Sequence, residues 1–136
     1  MTDSQNIRDL VPDSHHDLLD ATGVAAFVTL DAKGRPQTTA VWFIVEDGLL
    51  KTSISDTRQK FKNLSANTDV GFFFVDPANP FHTLEVRATA ELRPDPDKSF
   101  LERVFARYGA DPTDYVELDD HRYEVVLTPW HITTNG

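Results

Sequence analysis

His82-Thr83-Leu84-Glu85-Val86-Arg87-Ala88-Thr89-Ala90-Glu91-Leu92 alternates strictly between apolar and polar positions from Thr83 on. Leu84, Val86, Ala88 and Ala90 fall on one face, and Thr83, Glu85, Arg87 and Thr89 on the other. That period of two predicts a strand with one face in a core. Glu85 and Arg87 point the same way, which predicts an outward ion pair with a structural role. Just upstream, residues 70–75 read Val-Gly-Phe-Phe-Phe-Val, an apolar run expected of a strand buried on both faces. Between them, Asp76-Pro77-Ala78-Asn79-Pro80 reads as a loop stiffened by two prolines.

Working toward the N-terminus, three β-rich segments cover residues 24–30, 37–45 and 49–53. Asp31-Ala32-Lys33-Gly34 and Glu46-Asp47-Gly48 join them with turn chemistry, which predicts a meander. Asp56 or Thr57 is placed to cap a helix running to about Asn67, with Phe61 and Leu64 inward. Ser14 and Asp17 have capping-box spacing ahead of Leu18 and Leu19, a short helix that Gly23 would end. Residues 1–13 carry no apolar periodicity and are predicted to be a flexible arm, leaving 14–136 as one domain.

Toward the C-terminus, residues 97–108 have an amphipathic helix pattern. Phe100, Leu101, Val104, Phe105 and Tyr108 share a stripe, and Gly109 is a natural cap. An acidic loop follows over residues 110–120, read as a solvated face. A strand covers 123–127 and a short last segment 129–134. The order is helix, three strands, helix, two strands, helix, one or two strands. Consecutive hairpins make the pairing antiparallel, and about six strands close naturally into a small barrel. The class is mainly β or α+β: a six-stranded antiparallel barrel with peripheral helices.

The chain has 136 residues, 40% of them hydrophobic, and no cysteine, so disulfide and thiolate chemistry are excluded. No apolar run approaches the roughly 20 residues that span a bilayer. The polar, acidic start lacks the apolar stretch of a secretory signal, and a cytoplasmic location is expected. A formal net charge of -9 argues against general nucleic-acid binding, which needs a basic footprint.

One segment departs from that acidity. Lys51-Thr-Ser-Ile-Ser-Asp-Thr-Arg58-Gln-Lys60-Phe-Lys62-Asn63-Leu64 holds four cations against the single acid Asp56. It runs from a strand end through Ser53, Ser55 and Thr57 into a helix start, where free N–H groups and the helix dipole favour an anion. Arg58 offers a planar fork suited to phosphate and Lys60 a point charge. Two readings stand: a phosphate cradle, or a capped helix with solvated lysines. The five histidines lack i, i+4 ligand spacing with a supporting acid, so no metal site is predicted. Neither a Gly-x-Ser-x-Gly elbow nor a Gly-x-Gly-x-x-Gly fingerprint is present. Trp42, Phe43 and Trp130 could face a planar ligand, or serve in a core or a subunit interface.

In this order the motifs resemble the pyridoxamine 5′-phosphate oxidase-like, FMN-binding split barrels, and within them the F-420-dependent oxidoreductases. The resemblance rests on Thr29-Leu-Asp-Ala-Lys-Gly-Arg-Pro-Gln37, Val41-Trp-Phe43, Arg58-Gln-Lys60-Phe-Lys-Asn63-Leu64 with Asp69-Val70, and Asp76-Pro-Ala-Asn-Pro-Phe81 leading into Leu84-Glu-Val-Arg-Ala88. It covers residues 18–92 well and the C-terminal third loosely. It implies a homodimer with cofactor sites at the protomer interface. It implies that Ser53, Ile54 and Ser55 line the ring and phosphate region, that Arg58, Lys60 and Asn63 hold the phosphate and anionic tail, and that Gln37, Thr39 and Val41 lie near the ring. Pro80, Phe81 and Trp130 would close the site from the partner.

The vitamin B6 oxidases of this superfamily carry a C-terminal Arg-Leu-x-Pro-like stretch that serves their substrate. Here residues 128–136 hold no arginine, which weighs against pyridoxamine phosphate oxidation. Arg58, Lys60 and Lys62 exceed the needs of one phosphate monoester and fit F-420, with its phosphodiester and glutamate carboxylates. The resemblance thus implies a reductase that passes a hydride from reduced F-420 to a conjugated small molecule, with no compulsory catalytic side chain. An FMN-dependent oxidoreductase of the same fold and a non-catalytic carrier are the competing readings.

Overall fold

The alternating segment forms the middle of β6 (Asn79–Pro94) in the computed structural model, which describes residues 6–114 and 120–136. Leu84, Val86 and Ala88 are fully buried, as the alternation requires. β6 pairs with β5 (Asp69–Asp76) on one side and β7 (Arg122–Asn135) on the other. With β1 (Ala25–Leu30), β2 (Pro36–Val41), β3 (Ile44–Glu46) and β4 (Leu49–Ser55), these form one antiparallel sheet in the order β2-β1-β5-β6-β7-β4-β3.

The sheet has seven strands where six were expected, because the segment 37–45 breaks at Trp42 and Phe43. The Phe43 ring is buried against Phe72 and Phe74. Its N–H donates to the Tyr108 hydroxyl (3.2 Å) instead of a ladder carbonyl. The break sends β2 and β3 to opposite ends of the sheet. Val41 and Ile44 are only three peptide units apart, so they lie within about 11 Å of each other. The two ends of the sheet must therefore approach, which curls it into an open, split barrel.

Other expectations change for local reasons. In β5, Phe72 and Phe74 are buried, but Phe73 and Val75 are 40% and 41% exposed, so the strand is covered on one face only. The expected loop at 76–80 is a two-residue hairpin link, with Asp76 paired to Asn79 and Pro80 already inside β6. The last two segments are one strand. A register shift between Arg87↔His131 and Ala88↔Pro129 leaves Trp130 as an unpaired bulge residue.

The flexible arm is corrected from Asn6 onward; residues 1–5 lie outside the described residues. α1 (Ile7–Leu10) starts at Asn6, whose side chain accepts from Arg8 N–H. Ile7 and Val11 are buried in the main core. Ile7 N–H donates to Gly48 O (2.8 Å), and a Cβ on Gly48 would meet the Asn6 side chain at 2.7 Å. Gly48 also has φ 79°, so glycine is needed there twice over. The Ser14–Asp17 capping box does not form. α2 (His16–Asp20) has no side-chain cap, Ser14 Oγ bonds the ring of His15, and Asp17 pairs with His82.

α3 (Gln59–Ala66) buries Asn63 and Leu64, with Phe61 packed at the core's edge. It too lacks the predicted cap: the Asp56 carboxylate accepts from His121 N–H, and Thr57 bonds Ser55. α4 (Ser99–Arg107) buries Phe100, Leu101, Val104 and Phe105 of the predicted stripe, with Tyr108 half-buried just past its end, and the Asp95 carboxylate accepts from the Phe100 and Leu101 N–H groups of its first turn. Arg107 fixes its far end through the carbonyls of Phe43, Leu19 and Ala21. Of the acidic loop, residues 115–119 lie outside the described residues.

Candidate functional site

β4 ends in Ser53-Ile54-Ser55 and passes through a short turn, which ends at Arg58, into α3, whose first turn brings Lys60 to the same place. β2 lies opposite and α4 forms a wall. Together they enclose a cleft of about 470 Å³, lined among others by Thr39, Val41, Trp42, Ser53, Ile54, Ser55, Arg58, Lys60 and Arg122. That volume is within the range of small-molecule sites.

The polar side is cationic. Lys60 is half-buried, and its Nζ donates to Thr39 Oγ1 (3.1 Å). Burial lowers the pKa of the Lys60 ammonium, and the positive charges of Arg58 and Arg122 lower it further. Among the described residues neither Arg58 nor Lys60 forms an ion pair with a carboxylate. Arg122 belongs here because it pairs directly with Ser55 across β4 and β7, which puts both side chains on one face. Ser53 Oγ is buried and has no hydrogen-bond partner among the described residues. A buried hydroxyl left without a partner costs about 1–3 kcal/mol, and a bound ligand or an ordered water can supply the missing bond.

The apolar side comes from Val41, Ile54, Leu101, Val104 and Phe105. Trp42 reaches the cleft while stacked on Tyr108 (centroids 4.4 Å apart, planes 4° apart) and edge-on to Phe105. The Tyr108 hydroxyl donates to Gly23 O (2.8 Å), so this stack is anchored to the loop before β1.

Of the residues picked from sequence, Thr39, Val41, Ser53, Ile54, Ser55, Arg58 and Lys60 come together in the cleft. Gln37 and Asn63 do not line it. Asn63 Nδ2 donates to Thr29 Oγ1 (3.0 Å) and Gln37 Oε1 (3.2 Å), which ties α3 to β1 and β2. Lys62 is exposed and does not line the cleft; Arg122 stands as the third cation instead. Pro80, Phe81 and Trp130 are exposed and do not line it within one chain. Sequence reasoning missed Val24, Ala40, Arg122 and the cleft-facing edge of α4, because an amphipathic stripe does not show which part of it faces a cleft and which the core.

Among the described residues no three His, Cys, Asp or Glu side chains are grouped to hold a metal ion. No described helix is long and apolar enough to cross a membrane.

A curled antiparallel sheet, not closed, with a cleft that joins an apolar wall to Arg58, Lys60 and Arg122, has the architecture of a split barrel. The family model for pyridoxamine 5′-phosphate oxidase matches residues 11–134, and the chain belongs to that family. Among solved structures, an F-420 reductase is 31% identical with a TM-score of 0.82, over 90% of this chain and 98% of that one. A conserved hypothetical protein from Mycobacterium tuberculosis is 20% identical with a TM-score of 0.72, over 92% and 84% of the two chains. A heme storage protein from Vibrio cholerae shares the fold at 17% identity and a TM-score of 0.65, over 98% and 96%. No curated protein matches the chain.

Proposed function

We propose that this chain is an oxidoreductase that binds the deazaflavin coenzyme F-420 in the cleft and reduces a conjugated small molecule. The observation that carries this reading is Lys60: a half-buried ammonium beside Arg58, with no carboxylate partner among the described residues. An anionic group of the coenzyme supplies that partner. The 31% identity to an F-420 reductase over nearly the whole chain favours a deazaflavin.

The residues present fit such a coenzyme. Arg58 and Lys60 hold its phosphate at the start of α3, where the N–H groups also face an anion. The Ser53 hydroxyl gains the hydrogen bond it lacks, and Ser55 faces the same space. Thr39, Val41 and Ile54 lie against the ring, and Leu101, Val104 and Phe105 keep water from it. When bound, the coenzyme supplies the hydride-transfer chemistry; the protein binds, orients and desolvates. No side chain is assigned as a compulsory proton donor.

The reading includes a homodimer. Phe73, Val75, Phe81 and Trp130 are 40%, 41%, 73% and 57% exposed, and a second copy would cover them and bring Pro80, Phe81 and Trp130 to the cleft. A cytoplasmic location belongs to the same reading, and so does the absence of nucleic-acid partners, on the charge of -9.

FMN is the second reading, because Lys62 lies outside the cleft and the third cation there, Arg122, is already paired with Asp120, which leaves Arg58 and Lys60 as a set that one phosphate monoester could also satisfy. Titrating the ligand-free chain with F-420 and with FMN decides. F-420 is expected to bind at least about tenfold more tightly, a difference of about 1.4 kcal/mol. Equal or tighter binding of FMN would transfer the site to the flavin.

A further inference from the structure

Arg122 separates two spaces. On one side it lines the coenzyme cleft; on the other it lines a small cavity of about 120 Å³ with Lys98, Asp120 and His121. Its Nε donates to Asp120 Oδ2 (2.9 Å), and its side chain is 12% exposed. No hydrogen bond among the described residues uses its two terminal nitrogens. Asp120 is more deeply buried, with a side chain 3% exposed, and its other oxygen takes the Lys98 ammonium (3.0 Å). Lys98 is itself fixed by its own backbone, whose N–H donates to Asp95 O, while Asp95 N–H donates to Arg122 O. The carboxylate therefore holds the guanidinium by its inner edge and leaves the outer fork to the cleft.

We propose that Arg122 is a further anion-binding side chain of the cleft and that Asp120 is the residue that positions it. The geometry requires both parts. A guanidinium free to rotate loses side-chain entropy on binding, whereas one locked at Nε presents a planar pair of donors already aimed. The ligand class is a compound with two anionic groups a few ångströms apart: the first meets Arg58 and Lys60, and the second meets Arg122. This rests on the reading of the cleft as a coenzyme site only for the name of the ligand.

Inorganic pyrophosphate is the probe, because it carries paired anionic groups and no ring. Its affinity for the full chain is measured by thermal shift and calorimetry in four proteins: wild type, Arg122→Gln, Asp120→Asn and the double variant. Each single change is expected to weaken pyrophosphate binding by about tenfold, the scale of one charge-assisted hydrogen bond. The double variant is expected to bind no worse than Arg122→Gln, because Asp120 acts through Arg122. Arg122→Lys keeps the charge without the Nε contact and guards against misfolding of Asp120→Asn; it is expected to lose as much affinity as Asp120→Asn. Wild-type affinity in Arg122→Gln removes Arg122 from the site. Wild-type affinity in Arg122→Lys, or independent losses that multiply in the double variant, removes the positioning role. Should the chain bind pyrophosphate in this pattern but not F-420, the function proposed above fails and this assignment stands.

Discussion

The two ends of β4 place cations in opposite circumstances. Near its start, Lys51 has a side chain 10% exposed and is met by Glu124 at 2.7 Å and Glu46 at 3.4 Å. Glu46 also accepts from Arg103 at 2.7 Å, and that hydrogen bond, with the Arg103 and Lys51 charges, holds its carboxyl below the usual range despite burial. Past its other end, Lys60 meets a threonine hydroxyl and, among the described residues, no carboxylate; the charges acting on it are those of Arg58 and Arg122. A buried charge is stable only when paired and hydrogen-bonded. The first cluster satisfies that condition from within the chain and belongs to the scaffold. Among the described residues the second does not, and the proposed coenzyme site rests on that deficit.

The sharpest test of the contrast is at the paired end. Lys51→Met leaves Glu124 without this counter-ion in a part-buried site, and is expected to cost about 3 kcal/mol of stability in urea unfolding. Coenzyme affinity should stay within about threefold, a change of less than 1 kcal/mol. A large loss of affinity in a folded variant would erase the distinction between the two ends.

Lys60→Met should behave the other way. Affinity for F-420 should fall by about 10- to 150-fold, with the loss of a charged hydrogen bond of roughly 1.5–3 kcal/mol. The fall should shrink at high salt, which screens partly exposed charges. Ligand-free stability should rise. The folded-state pKa of Lys60 is lowered, first by burial, so the unfolded chain binds the proton more tightly and folding carries a penalty at neutral pH. That penalty is complete below the lowered pKa and fades as pH climbs through it, so the gain in the variant should narrow in alkali. Equal melting temperatures and equal affinities would return Lys60 to an ordinary surface lysine.

The smallest effect should come from an ion pair far from the cleft. His82 Nε2 lies 3.0 Å from the Asp17 carboxylate; that bond, against a desolvation cost, raises the His82 pKa and lowers that of Asp17. The His82 contribution is complete below the ordinary histidine pKa near 6.5 and is lost as pH rises through the raised folded value. Asp17 contributes above about 3.8 and is lost as pH falls through its lowered value. His82→Gln should therefore lower the melting temperature slightly at pH 6 and not at all at pH 9, with coenzyme affinity untouched at both. A deficit that persists unchanged at pH 9 would mean that packing, not charge, holds this contact.

Much of the site was legible because it is local. Ser53, Ser55, Arg58 and Lys60 lie within one strand-turn-helix passage, so their convergence needs little beyond the chain direction. Asn63 lies away from the cleft for a related reason. Helical spacing puts it near Lys60, but burial turns its amide to Thr29 and Gln37, where it serves as a tie between α3 and the sheet. The exposed row of β5 was hidden because Phe73 and Val75 are as apolar as Phe72 and Phe74; composition does not say which face is covered.

By itself the sequence determined the strand periodicity of β6, the turns at Gly34 and Gly48, the amphipathic α4 and the local cation cluster. Each follows from side-chain period or backbone freedom over a few residues, quantities that neighbours along the chain set. Only the tertiary structure decided that the sheet has seven strands, that Ile7 and Val11 belong to the core, and that Arg122 rather than Lys62 completes the cleft. These depend on which strands lie side by side. Ser55 meets Arg122 because β4 pairs with β7, a pairing fixed by burying two distant apolar faces together. The same pairing sets Asp120 behind Arg122, an arrangement that no local pattern encodes.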